Sequence, residues 1–164
     1  MKKSRRTYWV ASIRDGHPDD AYALEGLQRR ASDVWEEYRA QLADYPDAIE
    51  PQHQAIAEGR VRVAVGANEC LLGFSVVLPV QERRCELDDL FVEPKWMRMG
   101  VGRMLVHDLA VRAAAGGASY VDVIANPNAL GFYVRLGFTV TGHASTRFGS
   151  APRMTLELPH AREC

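Results

Sequence analysis

Little in this sequence is extreme, and each shortage closes off a class of function. Cysteine is scarce. Cys70, Cys85 and Cys164 are odd in number and lack close paired spacing, so neither a disulfide framework nor a zinc site is expected, and a reducing cytoplasm fits. The five histidines are scattered, with no pair at i, i+4 spacing, and no metal is expected. Neither sign of charge dominates. The formal net charge is -1, which gives no global pull toward nucleic acid. The one basic cluster, Lys2-Lys3-Ser4-Arg5-Arg6, stands at the start of the sequence, where a solvated, frayed end is the simplest expectation. No apolar run approaches a membrane span. The short Tyr8-Trp9-Val10 stretch is soon broken by Arg14 and Asp15, which argues against a signal peptide.

What is present fits one domain over residues 1–164, with residues 1–7 and 159–164 expected as flexible ends. No internal repeat or low-complexity linker interrupts it. Residues 8–14 predict a first strand, and Asp19 or Asp20 can cap the helix that follows. Leu24, Leu27, Ala31, Val34, Trp35, Tyr38 and Leu42 recur at helical spacing, and a second short helix is predicted over about 49–57. The period then changes. Val61, Val63 and Val65 alternate as in a strand, and Gly66-Ala67-Asn68-Glu69 suits a hairpin turn. Strands over 70–80 and 85–92 follow. Gly100 opens a long helical pattern that Gly116-Gly117 closes. A short strand over 120–124, a helix over 126–136 and strands over 138–142 and 154–158 complete the chain, the last two joined by a loop containing Phe148 and Pro152. The order βααβββαβαββ predicts a mixed α/β (α+β) domain.

The strongest local feature is a strand, Pro94, a short loop, Gly100-Val101-Gly102 and a long helix. A helix start offers free backbone N–H groups and a positive dipole end. Glycine there lets a phosphate approach the backbone, and Arg98 and Arg103 add charge. By itself the glycine pair fits a tight packing turn as well as a pyrophosphate cradle. A dinucleotide fingerprint is excluded, because Leu105 stands where its third glycine belongs and seven residues separate strand from glycine. A P-loop is excluded by the lack of Gly-Lys-Ser/Thr.

A second pattern lies downstream: Asn126, Ala129, Tyr133, Gly137 and Phe138. With both in place the chain resembles the GNAT superfamily of N-acetyltransferases. That family's acyl-CoA loop has the form Q/R-x-x-G-x-G/A, and its later signature has the form N-x-x-A-x-x-x-Y-x-x-x-G-F. The resemblance covers roughly residues 8–158 and is specific over 86–142. It departs at Met97, where the family has Gln or Arg, so contacts there are expected from backbone rather than side chain.

The resemblance implies a GNAT fold, with a mixed central sheet of six to seven strands flanked by about four helices. It implies acetyl-CoA as acyl donor and direct attack by a primary amine of a small molecule or peptide. Leu90, Phe91 and Val92 would pair with the pantetheine arm, and one backbone N–H there would face the developing oxyanion. Met97, Arg98, Met99, Gly100, Val101, Gly102 and Arg103 would cradle the pyrophosphate. Asn126, Phe132 and Tyr133 would complete the donor site, with Tyr133 protonating the leaving thiolate. Asn126 is equally a helix cap and Tyr133 equally a core ring. For the base, Glu86 matches the catalytic glutamate of histone-acetylating members. Period-two alternation puts Glu86 and Asp88 on one face and Asp89 on the other, making Glu86 and Asp88 the candidates beside water-mediated deprotonation.

The acceptor wall is less defined. Trp35 and Tyr38, with Glu36 and Glu37, suit a cationic amine, or else Trp35 and Tyr38 simply extend the core stripe. Arg147 and Arg153 suit a carboxylate instead. A homodimer through the late strands is common in the family. The rival readings are a non-catalytic acyl-CoA sensor and a protein lysine or N-terminal acetyltransferase.

Overall fold

Alternating β-branched residues become strands because their side chains pack well on a pleated surface. The computed structural model describes residues 11–159. Its strands are β1 (Ser12–Asp15), β2 (Val61–Val65), β3 (Leu71–Val77), β4 (Arg84–Val92), β5 (Tyr120–Ile124), β6 (Thr139–Thr146) and β7 (Gly149–Glu157). Its helices are α1 (Ala21–Ser32), α2 (Glu36–Asp44), α3 (His53–Ala57), α4 (Val101–Ala115) and α5 (Leu130–Arg135). The strands form one sheet in the order β1-β2-β3-β4-β5-β7-β6. Every neighbouring pair is antiparallel except β4 with β5, whose parallel pairing needs the α4 crossover.

Two apolar layers sandwich the first four strands. On one face Val61, Val63, Phe74 and Val76 pack under Leu24 and Leu27 of α1 and Ile56 of α3. On the other, Ala64 and Leu72 meet Val101 and Leu105 of α4. That second layer continues through Leu87, Val121, Val123 and Met154 to Tyr133 and Phe138. The first face over β5, β7 and β6 carries instead an open polar groove of about 500 Å³, lined by Arg84, Asp122, Arg153 and Glu157 among others. There the buried Asp122 carboxylate accepts from Arg84 at 2.9 and 3.0 Å and from the Thr155 hydroxyl at 2.6 Å.

Several expectations need correction. The first strand begins at Ser12 among the described residues, and Tyr8, Trp9 and Val10 lie outside them. Asp20 receives the His17 N–H at 2.7 Å and Arg14 at 2.8 Å, tying a short 3-10 turn rather than capping α1 directly. The long helical stripe breaks after Ser32. Trp35 takes extended backbone angles, and α2 buries no residue. Three helices therefore precede β2, not two. The third starts at His53 because Pro51 disfavours helical angles at Glu50.

The late loop is a tight hairpin instead, with Thr146 opposite Gly149 around Arg147-Phe148. Pro152 sits inside β7, opposite His143. Its carbonyl accepts from Ala125, one residue past the end of β5, at 2.8 Å. The N–H that proline lacks would point the same way, one residue past the last ladder pair of β5 with β7, Ile124 opposite Arg153.

Candidate active site

The site is a gap in the sheet. β4 pairs with β5 only from Arg84 opposite Tyr120 to Leu87 opposite Val123. Beyond Leu87 the β4 strand follows β3 alone, with Ser75 opposite Leu90 and Gly73 opposite Val92. Glu93 N–H donates to Leu72 O at 2.9 Å. Backbone groups alternate in direction along a strand, so Phe91 also turns toward β3, while Leu90 and Val92 turn their N–H and C=O into the gap. The Phe91 ring packs on Phe74 at 5.7 Å between centroids.

A bulge re-aims the acidic residues. Val76 lies opposite Asp89 and Val77 opposite Leu87, leaving Asp88 as the extra residue. A one-residue insertion reverses every later side chain. Cys85 and Leu87 face the α4 layer before the bulge, and Leu90 and Val92 face it after. Glu86 therefore shares the α1–α3 face with Asp89 and Phe91, and Asp88 stands exposed at the bulge. Strict alternation had grouped Glu86 with Asp88 and sent Asp89 to the opposite face. Asp89 is perturbed by its surroundings. Burial first, then the neighbouring Asp88 charge, pushes its carboxyl up to about 6, while a hydrogen bond from Gln52 Nε2 at 3.1 Å pulls the other way.

At the top of the gap, the loop after β4 winds through a 3-10 turn at Pro94–Trp96. Arg98 adopts φ 63° and Gly100 φ 88°. Gly100 is the N-cap of α4, with open space where a Cβ would project. The first intrahelical bond runs from Met104 N–H to Gly100 O at 3.0 Å. The Val101, Gly102 and Arg103 N–H groups thus have no acceptor in their own helix, the arrangement that suits an anion. Gly102 serves a different end. A Cβ there would lie 3.1 Å from the Phe132 ring, so the glycine lets α5 close on the start of α4. Met97 is half-buried, whereas Arg98, Met99 and Arg103 are exposed. The residues present fit a pyrophosphate held by backbone N–H groups, with arginines beside it.

Asn126 accepts from Asn128 N–H at 2.9 Å, so it is a cap, and its amide NH2 has no acceptor among the described residues. Tyr133 is buried on the α4 side, its ring 5.0 Å from Phe132 and 5.2 Å from Phe138. Burial raises its phenol well above the usual tyrosine range, so it stays protonated and able to donate. Leu90 packs against the same cluster. Tyr133 and Asp89 thus flank the gap from opposite faces of the sheet.

α2 meets the β6–β7 hairpin. Phe148 stacks edge-on with Tyr38 at 6.2 Å and lies 6.5 Å from Tyr45. Arg147 caps the Tyr45 ring at 4.7 Å and pairs with Asp47 at 3.2 Å. The basic and acidic readings of this wall therefore neutralise each other: Arg147 is engaged, and Arg153 lines the groove on the sheet face. Trp35 is 38% exposed and Tyr38 half-buried, so neither extends the core. Asn128 Nδ2 donates to Glu37 Oε1 at 2.6 Å, linking α2 to the turn before α5. Gln52 carried no signal in the sequence, Tyr45 and Phe148 read only as a helix end and a loop residue, and Asp47 read as one of several acidic residues after the first helix. Asp89 carried one, but only if the bulge is known.

Residues 25–138 match the model of the acetyltransferase (GNAT) family. The chain is 30% identical over 156 residues to the peptidyl-lysine N-acetyltransferase YjaB of Escherichia coli strain K12, covering 92% of this chain and 97% of that protein. The Salmonella typhimurium protein of the same name is 29% identical over 140 residues, covering 82% and 88%. Among solved structures, the PaiA N-acetyltransferase of Thermoplasma acidophilum, in complex with coenzyme A, shares the fold with a TM-score of 0.73. It is 20% identical, and the match covers 90% of this chain and 99% of that one. The splayed β4, the open start of α4 and the match over residues 25–138 agree, and the chain belongs to the GNAT family as an acetyl-CoA-dependent acetyltransferase.

Proposed function

We propose that this chain transfers the acetyl group of acetyl-CoA to a primary amine by direct attack in a ternary complex, and that the amine is a lysine side chain of a peptide or protein. The observation that carries the transfer is the gap between β4 and β5, set beside the open N-terminus of α4. The lysine is supported by the two relatives named peptidyl-lysine N-acetyltransferases, which match this chain over most of their length. A small-molecule amine remains the alternative acceptor.

In this reading the residues divide the work. Val101, Gly102 and Arg103 N–H groups hold the pyrophosphate, with Arg98 and Arg103 side chains adding charge. Leu90 and Val92 pair with the pantetheine arm, and the Leu90 N–H stabilises the oxyanion as it forms. Phe91 supports that strand from the opposite face. Phe132 seats the start of α4, and the free amide of Asn126 reaches the pantetheine. Tyr133 gives its proton to the leaving sulfur. Glu86 lies on the acceptor face as a second carboxylate. Trp35, Tyr38 and Arg147 border the acceptor opening. A homodimer would form along β6, the last strand of the sheet.

The test is thiol release from acetyl-CoA with lysine peptides, polyamines and amino acids as acceptors, with the acetylated product identified by mass. Turnover on lysine peptides above the other classes is expected. Tight acetyl-CoA binding without turnover on any amine would replace this reading with a sensor.

A further inference from the structure

We infer that Asp89, oriented by Gln52, is the group that receives the acceptor's ammonium and takes its proton. The inference rests on the transfer proposed above and assigns the acceptor class, a cationic primary amine. Three observations carry it. The bulge at Asp88 turns Asp89 onto the acceptor face. Asp89 directly precedes Leu90, whose N–H faces the gap, so the two residues are one Cα step of ~3.8 Å apart. And the carboxylate has no cation: its one hydrogen-bond donor among the described side chains is the neutral Gln52 amide.

On β4 the charged neighbours are Asp88 and, on the same face, Glu86. The segment before α3 contributes Glu50 and Gln52. His53 turns its ring to Tyr22 at 5.3 Å. From α1, Arg29 is occupied by Glu25 and by the Pro46 and Ile49 carbonyls. Across on β3 stands Val76. The α1 face packed on the sheet also holds Gln28, whose Oε1 is buried without a partner. A half-buried acid beside a like charge, held by a neutral donor, is stabilised when a cation arrives.

The proton balance is simple. The ammonium N–H proton passes to the Asp89 carboxylate, and the neutral nitrogen forms the C–N bond as the C–S bond breaks. The sulfur takes the Tyr133 proton, and Tyr133 regains one from the new N-acetyl nitrogen through solvent. Asp89 returns its proton to water before the next turnover.

The experiment follows kcat/KM between about pH 5 and 9 with Nα-acetyl-lysine amide as acceptor. The wild type should rise to a plateau through an acidic limb near 6. Asp89→Asn should lose ~10²–10⁴-fold on the plateau and climb about tenfold per pH unit, tracking neutral amine. Thermal protection by acetyl-CoA should be unchanged. Gln52→Leu should move the limb up and Asp88→Asn should move it down. As a readout independent of turnover, the 13C carboxyl titration of Asp89 should shift to lower pH when the probe amine is added with coenzyme A. An Asp89→Asn profile like the wild type, or a titration that ignores the amine, overturns the inference. If the wild type acetylates no amine, the transfer reading fails on its own, and the carboxyl titration still decides whether Asp89 binds ammonium.

Discussion

Replacing Asp89 by asparagine should make the protein more stable at neutral pH. Folding moves this carboxyl from 3.8 to about 6, because its ionised form loses water and sits beside Asp88. The native state then holds the proton more tightly than the unfolded chain does. Stability therefore falls as pH rises through that window, and above it the full cost of an ionised, shielded carboxylate is present. Roughly two pKa units correspond to ~3 kcal/mol, and partial access to water reduces this to ~1–3 kcal/mol. Asparagine keeps the shape and an oxygen that accepts from Gln52, so it removes the cost without opening a cavity. For a chain of this length the gain is ~3–10 °C in Tm at about pH 8, vanishing only below about pH 4. Thermal unfolding of both proteins across that range is the assay. An asparagine variant no more stable than the wild type at about pH 8 refutes the reasoning, because Asp89 would then be solvated or already paired.

Four further substitutions separate donor binding, chemistry and the acceptor wall. Tyr133→Phe keeps both ring contacts and should leave stability within ~0.5 kcal/mol, while turnover falls ~10²–10⁴-fold and acetyl-CoA affinity changes little; equal turnover removes Tyr133 as the acid. Gly102→Val must displace the Phe132 ring from 3.1 Å, and Gly100→Val adds ~1–2 kcal/mol of left-handed strain. Either should abolish thermal protection by acetyl-CoA, and unchanged protection counts against the loop. Arg147→Ala breaks a half-exposed ion pair worth ~0–1 kcal/mol, so Tm should barely move. The KM for the amine should change more than that for acetyl-CoA, and a selective change for acetyl-CoA would place the hairpin on the wrong side of the site.

How far the sequence reaches can be judged residue by residue. The alternation of Val61, Val63 and Val65 marks its strand because one face packs under α1. Gly100-Val101-Gly102 and the Asn126-to-Phe138 pattern locate the donor site because a helix start and a left-handed N-cap are local properties. The bulge at Asp88 is not local. It exists only in the pairing of β4 with β3, so the faces of Glu86, Asp88 and Asp89 could not be assigned from spacing. The stripe from Leu24 to Leu42 misled for a related reason: periodicity shows which residues can share a face, not whether a surface waits for them. Pro152 read as a loop signal, and it sits in β7 one residue past the last ladder pair with β5, where a missing N–H costs the sheet least.

The central claim is that the gap between β4 and β5 presents acetyl-CoA to a lysine amine. The most direct measurement is steady-state thiol release with a lysine peptide, with the peptide's acetylation located by mass spectrometry, in wild type and in Asp89→Asn. Acetyl-lysine should form one-for-one with thiol in the wild type, and the plateau rate should be lower by ~10²–10⁴-fold in the variant. Thiol release without acetylated peptide, or equal rates in the two proteins, would contradict it.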